Sequence, residues 1–147
     1  MIHAQNFKYS NNLAPVSETT TTSPAFTDTK GYDYATVVFI FGVTANAPTA
    51  MSVSECDTSG GSYTAISGAN FDGGTETDGT TSALPDNTNN TVHAININLQ
   101  GKERFIKPVM TCGASANLIS IVTLLSRRAE TSNVPADNGL TTAIDVN

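Results

Sequence analysis

The chain has 147 residues, 39% hydrophobic and 14% charged, with no Trp, two Cys and a formal net charge of -6. That length suits one domain with a real core. The acidic balance repels a nucleic-acid backbone, and no apolar run approaches the ~20 residues of a membrane helix, so neither nucleic acid nor membrane is an expected partner.

Thr and Ser are frequent, and Gly, Asn and Pro recur between apolar runs. Long amphipathic segments rich in Glu, Lys, Leu and Arg are missing. This pattern predicts an all-β chain with polar turns, because β-branched Thr tolerates a half-buried pleated surface.

Residues 1–31 contain SETTTTSPAFTDTKG and show neither a period of 2 nor one of 3.6. They are expected as an extended N-terminal arm. Phe7, Tyr9 and Phe26 are isolated aromatics in that arm and are candidate anchors onto the protein's own surface or a neighbour's, the alternative being a flexible tail. The N-terminus has no apolar stretch of the signal-peptide kind, so export by the general secretory route is not expected.

A β-domain is expected over 32–128. In Tyr32–Gly42, Val37, Phe39 and Phe41 alternate with Val38 and Ile40. Both faces are apolar, which predicts a central strand covered on both sides by a second sheet or by a subunit interface. Met51 and Val53 alternate with Ser52 and Ser54 in a half-exposed strand. Gly60-Gly61 is expected to supply the positive φ of a tight hairpin, and Tyr63–Ile66 the return strand. Residues 67–90 are rich in Gly, Asp, Asn and Thr, with Phe71 and Leu84 the only large apolar side chains, and read as a long loop.

Val92–Arg128 is the most apolar stretch. It predicts a three-strand antiparallel meander: His93 to Leu99, a hairpin at Gln100–Glu103, Phe105 to Cys112, a turn at Gly113–Asn117, then Leu118 to Leu125. Pro108 marks a bulge or an unpaired edge, since it has no N–H to give to a ladder. Residues 129–147 return to arm-like composition, and Ala143, Ile144 and Val146 are expected to add a last strand or to clamp a neighbour.

Chemistry-bearing patterns are sparse. The histidines are His3, in the arm, and His93, in phase with Ile95 and Ile97 and therefore read as a core or interface residue. Gly113-Ala-Ser115-Ala-Asn117 lacks the final glycine of a nucleophile elbow and reads as a turn. Phosphate-loop, dinucleotide and zinc-protease motifs do not occur. Asp72, Glu76 and Asp78 on a Gly-rich loop suit a hard cation such as calcium, but their spacing matches no EF-hand, and a solvated turn is the default. Cys56 and Cys112 show no metal-ligand spacing; two buried free thiols are favoured over a disulfide. No catalytic residue, metal or cofactor is expected.

Bases are uneven along the chain. Through Gln100 they are Lys8 and Lys30, whereas Lys102, Arg104, Lys107, Arg127 and Arg128 follow Gly101. Arg127 and Arg128 adjoin the arm-like tail and are added to Phe7, Tyr9 and Phe26 as candidate contacts to a neighbouring subunit.

The order of features resembles the capsid decoration, or cement, proteins of tailed bacteriophages. The resembling residues are Lys30-Gly-Tyr-Asp-Tyr before the two-faced strand, Val53-Ser-Glu55 with a Ser-Gly-Gly turn, and Thr80-Thr-Ser-Ala-Leu-Pro. They continue with Leu99-Gln-Gly-Lys-Glu-Arg104-Phe, and Leu124-Leu-Ser-Arg127 before a Pro-containing tail. The resemblance spans about Lys30 to Pro135. It implies an antiparallel β-sandwich, jelly-roll-like, to which the composition adds extended N-terminal and C-terminal arms. It further implies a homotrimer on the outer surface of an icosahedral head, bound to the major capsid protein in a virion assembled in the host cytoplasm. Removing residues 1–30 is expected to weaken shell binding and leave the domain folded. The alternatives are another virion part, such as a tail or fibre-base protein, or a carbohydrate-binding β-sandwich, against which the lack of Trp counts.

Overall fold

The computed structural model describes residues 6–22, 24–74, 81–85, 89–113, 115–127 and 142–146. Alternation of β-branched and aromatic residues with polar ones produces nine strands. They are β1 (Phe7–Glu18), β2 (Thr27–Asp28), β3 (Tyr34–Thr44), β4 (Ala50–Cys56), β5 (Thr64–Asn70), β6 (Val92–Asn98), β7 (Phe105–Thr111), β8 (Asn117–Ser126) and β9 (Thr142–Val146). The described residues contain no α-helix.

Two sheets form, in the orders β1-β8-β3-β6-β9 and β2-β7-β4-β5. β1 pairs with β8, β2 with β7, β3 with β6 and β4 with β5, all antiparallel. This is one long ribbon of four strand pairs, bent so that β3 also meets β8 and β4 also meets β7. The result is a jelly-roll β-sandwich. β9 extends the larger sheet by pairing parallel to β6.

The core lies between the sheets. Val37, Phe39 and Phe41 of β3, Ile95 and Ile97 of β6, and Ile119, Ile121 and Leu125 of β8 point inward from the larger sheet. Met51, Val53, Ile66, Ile106 and Met110 meet them from the smaller sheet. Phe71, just past β5, is also buried and stands edge-on to Phe39 with ring centroids 6.2 Å apart. Ser82 Oγ donates to Phe71 O at 2.7 Å, so the loop after β5 is pinned where its one large aromatic enters the core.

The two-faced strand expected at Tyr32–Gly42 is β3, the middle strand of its five-stranded sheet. The expected meander is not formed. β6 and β8 both flank β3, while β7 lies in the other sheet, so the two breaks around Phe105–Thr111 cross between sheets. A short polar link between apolar runs suits a hairpin and a sheet-to-sheet crossing equally, and the jelly roll takes the second.

Residues 1–31 do not form a free arm over their described part. β1 runs along β8 from Phe7↔Ser126 to Glu18↔Asn117. Register shifts between Asn11 and Leu13 and between Leu13 and Val16 mark bulges. β2 then joins the other sheet. Removing residues 1–30 would therefore strip a sheet edge, and the expectation of an intact domain after that truncation is withdrawn. The tail contributes β9, and the rest of 128–141 lies outside the described residues.

Gly60 and Gly61 are not at positive φ; the hairpin there closes through Gly61 N to Thr58 O at 3.1 Å. Gly61 is needed for space instead, because a Cβ would lie 2.5 Å from Cys56 Sγ and 2.6 Å from Thr58 Oγ1. Positive φ is used at Gly101, in the β6–β7 crossing, with φ +78°. Pro108 faces Val53 on the β4 side; on the other side β2 pairs with Phe105 and Ile106 and Thr21 bridges Thr111, so Pro108 sits in the unpaired gap between them.

Candidate functional site

The residues with intrinsic chemistry are built into the packing. His93 is 3% exposed on β6, between the rings of Phe41 and Phe71, each 5.8 Å away. Its Nε2 lies 3.0 Å from Thr91 Oγ1. Desolvation pushes its pKa down to about 4, so the ring is neutral at pH 7. Ser115 is held by Asn46, whose amide oxygen accepts from Ser115 N at 3.1 Å and from Oγ at 2.8 Å.

Cys56 and Cys112 are both buried free thiols. Cys56 lies opposite Phe105, at the start of β7, and Cys112 follows its end. Six residues of strand, ~20 Å, separate them, far beyond disulfide reach. Burial pushes the Cys112 thiol up. Asp72 is exposed beside the turn, whereas Glu76, Asp78 and His3 lie outside the described residues. Among the described residues no three His, Cys, Asp or Glu side chains gather as metal ligands do.

The sequence-predicted contact residues separate into two places. Phe7 pairs with Ser126 and Tyr9 with Leu124, both on the outward side of the larger sheet. Tyr9 is 72% exposed. Arg127 joins them, since its N donates to Asn6 O at 3.3 Å. Its guanidinium lies 5.8 Å from the Tyr32 ring centroid, and its Nε donates to Gly31 O at 3.3 Å. Phe26 lies on the other sheet, edge-on to Phe105 at 5.4 Å. Arg128 lies outside the described residues.

Topology also gathers the bases. Lys8 at the start of β1, Lys30 before β3, Lys102 and Arg104 before β7, Lys107 within β7 and Arg127 after β8 all lie toward one end of the sandwich. Arg104 forms a two-pronged pair with Asp28, Nη2 to Oδ2 at 2.7 Å and Nε to Oδ1 at 2.9 Å. That hydrogen bonding holds the Asp28 carboxyl down at about 2. Lys8 Nζ donates to Asp28 O at 3.0 Å. The bases that follow Gly101 in the sequence are thus joined by Lys8 and Lys30 from the first thirty residues, and part of their charge is spent on internal pairing.

Two surface features are lined by residues other than those singled out as candidate contacts. One is a polar hollow of about 420 Å³ at the end where β8 terminates, lined by Tyr32, Asp33, Tyr34, Asn98, Leu99 and Gln100. The other is an apolar groove of about 410 Å³ near the opposite end of the larger sheet, between Ile40, Val92 and Leu118. Leu118 lies across Gly42, where a Cβ would come within 2.7 Å of Leu118 Cδ2. The signal for the groove was the two-faced apolar pattern of β3 and β8.

No protein-family model, characterised protein or solved structure matches the chain.

Proposed function

We propose that this protein is a structural virion component that binds the outer surface of an icosahedral phage head and stabilises it by bridging neighbouring capsomers, as a self-associating protein, trimeric by the resemblance. The observation that carries the reading is the division of labour between inside and outside. His93 and both thiols are buried and Ser115 is tied to Asn46, while the exposed Tyr9, Ile40 and Leu118 stand on the outward side of the larger sheet. Such a surface acts by contact with other proteins, and contacts repeated over a lattice gain from multivalency even when each is weak. The jelly-roll architecture, common in viral capsid domains, agrees with it by analogy.

Co-sedimentation tests the proposal. The protein should pellet with assembled shells and remain in solution with unassembled capsid subunits. Failure to pellet with shells would overturn the capsid reading, and electron microscopy of virions would then separate a tail or fibre-base position from a head position. A second reading, carbohydrate binding, is favoured by one feature, the hollow with Tyr32, Tyr34, Asn98 and Gln100. Tyrosine faces and amides suit sugar rings and hydroxyls. Binding on a glycan array that is lost in Tyr32→Ala and Tyr34→Ala would favour it.

A further inference from the structure

The outward face of the larger sheet departs from what a solvated antiparallel sheet carries. Outward positions of such a sheet are normally polar. Here the ladder sets Val122 beside Val38, with the buried Ala94 next to it on β6, and Ser120, Ile40 and Val92 in the next row. Leu124 and Leu118 extend the apolar surface along β8, and Ile40 and Leu118 are 40% and 43% exposed.

Charge is the second observation. The outward positions of β1, β8, β3 and β6, taken from the register, include no Lys, Arg, Asp or Glu. The first acid in register is Asp145, on the edge strand β9. In a chain of net charge -6, a face of four strands without a carboxylate is where a second copy can approach without desolvating a charge.

Size is the third. Four strands ~4.8 Å apart and about eight residues long at ~3.3 Å each give roughly 500 Å² in projection. That compares with the ~800 Å² per partner of a standard interface.

From these we infer that the outward face of the larger sheet, centred on Val38, Ile40 and Leu118, is the contact between copies of this chain. An acidic or basic partner would find no complementary charge on these four strands, whereas a second copy brings the same neutral apolar surface. The inference names the surface behind the proposed self-association and stands without the capsid reading.

Light scattering on the purified full chain tests it. The native protein should run at the mass of two or more copies. Ile40→Lys and Leu118→Lys, at exposed side chains, should each run as one copy with an unchanged far-ultraviolet dichroism spectrum. Should either variant misfold, oxidation of Ile40→Cys provides a second measurement. It should link copies covalently, while Ser59→Cys on the exposed β4–β5 turn should not, and the buried native thiols should stay silent. A native chain at one-copy mass would overturn the inference. Lysine variants that keep the native mass would also overturn it. Shell binding is read separately, so loss of the capsid reading and loss of this one are distinguishable.

Discussion

Replacing Asn12 with alanine should destabilise the protein more than any other single change in β1. The bulge after Asn11 turns this side chain inward, where it is 4% exposed. Its Nδ2 donates to Ala25 O at 2.7 Å and to Thr27 Oγ1 at 2.9 Å, and its Oδ1 accepts from Thr123 Oγ1 at 2.7 Å. One amide therefore ties β1 to β8 within its sheet and to β2 in the other. Alanine removes three hydrogen bonds worth ~0.5–1.5 kcal/mol each and leaves the Thr123 hydroxyl, 0% exposed, to carry a penalty of ~1–3 kcal/mol. The terms overlap, and a net loss of about 2–4 kcal/mol is expected, a fall in Tm on the order of 10 °C for a chain of this size. Urea denaturation would measure it. Thr123→Val serves as the partner mutation, and the double variant should be less destabilised than the sum of the singles by ~1 kcal/mol, since the shared bond is lost only once. An Asn12→Ala variant within ~0.5 kcal/mol of the native protein, or strict additivity in the cycle, would refute the idea that Asn12 joins the sheets.

Two further predictions concern pH and space. His93 has a folded pKa of about 4 against ~6.5 unfolded, so the unfolded chain takes up a proton before the folded one does. Its stability contribution is complete above pH ~6.5 and declines as the pH falls toward 4. Denaturation midpoints across that window should show the decline, and His93→Phe, which keeps a ring against Phe41 and Phe71, should flatten it. Gly113→Ala should cost more than Gly42→Ala. The new Cβ at 113 would meet a backbone atom, Ala47 O, at 2.7 Å, whereas at 42 it meets the movable end of Leu118. About 1–3 kcal/mol against less than ~1 kcal/mol is expected, and equal losses in urea would contradict the contact assignment.

β3 could be read directly because its alternation runs unbroken through Val37, Phe39 and Phe41 on one face and Val38 and Ile40 on the other. β1 could not, and the cause is local. Its two bulges bring Leu13 and Val16, three residues apart, to the same inward side, so no period-2 signal survives among its polar residues. The sheet assignment of β7 was hidden for a different reason: nothing in Gln100–Glu103 or Gly113–Asn117 tells a hairpin from a crossing. For the functional surface, the apolar residues of β3 and β8 were visible, but their confluence into one face depends on the β3–β8 pairing. Phe7, Tyr9 and Arg127 were singled out separately and meet only because the first and eighth strands pair.

That pairing also has a consequence for synthesis. β1 has its ladder partner, among the described residues, some 110 residues later, at Asn117–Ser126. At ~5–20 residues per second, β1 waits roughly 5–20 s with both edges open. Its composition suits the wait: Pro15, two bulges and the polar run Ser10-Asn11-Asn12 make a poor template for pairing with a neighbouring nascent chain. The same irregularity that conceals β1 from pattern reading keeps it uncommitted until the strand it belongs to has been made.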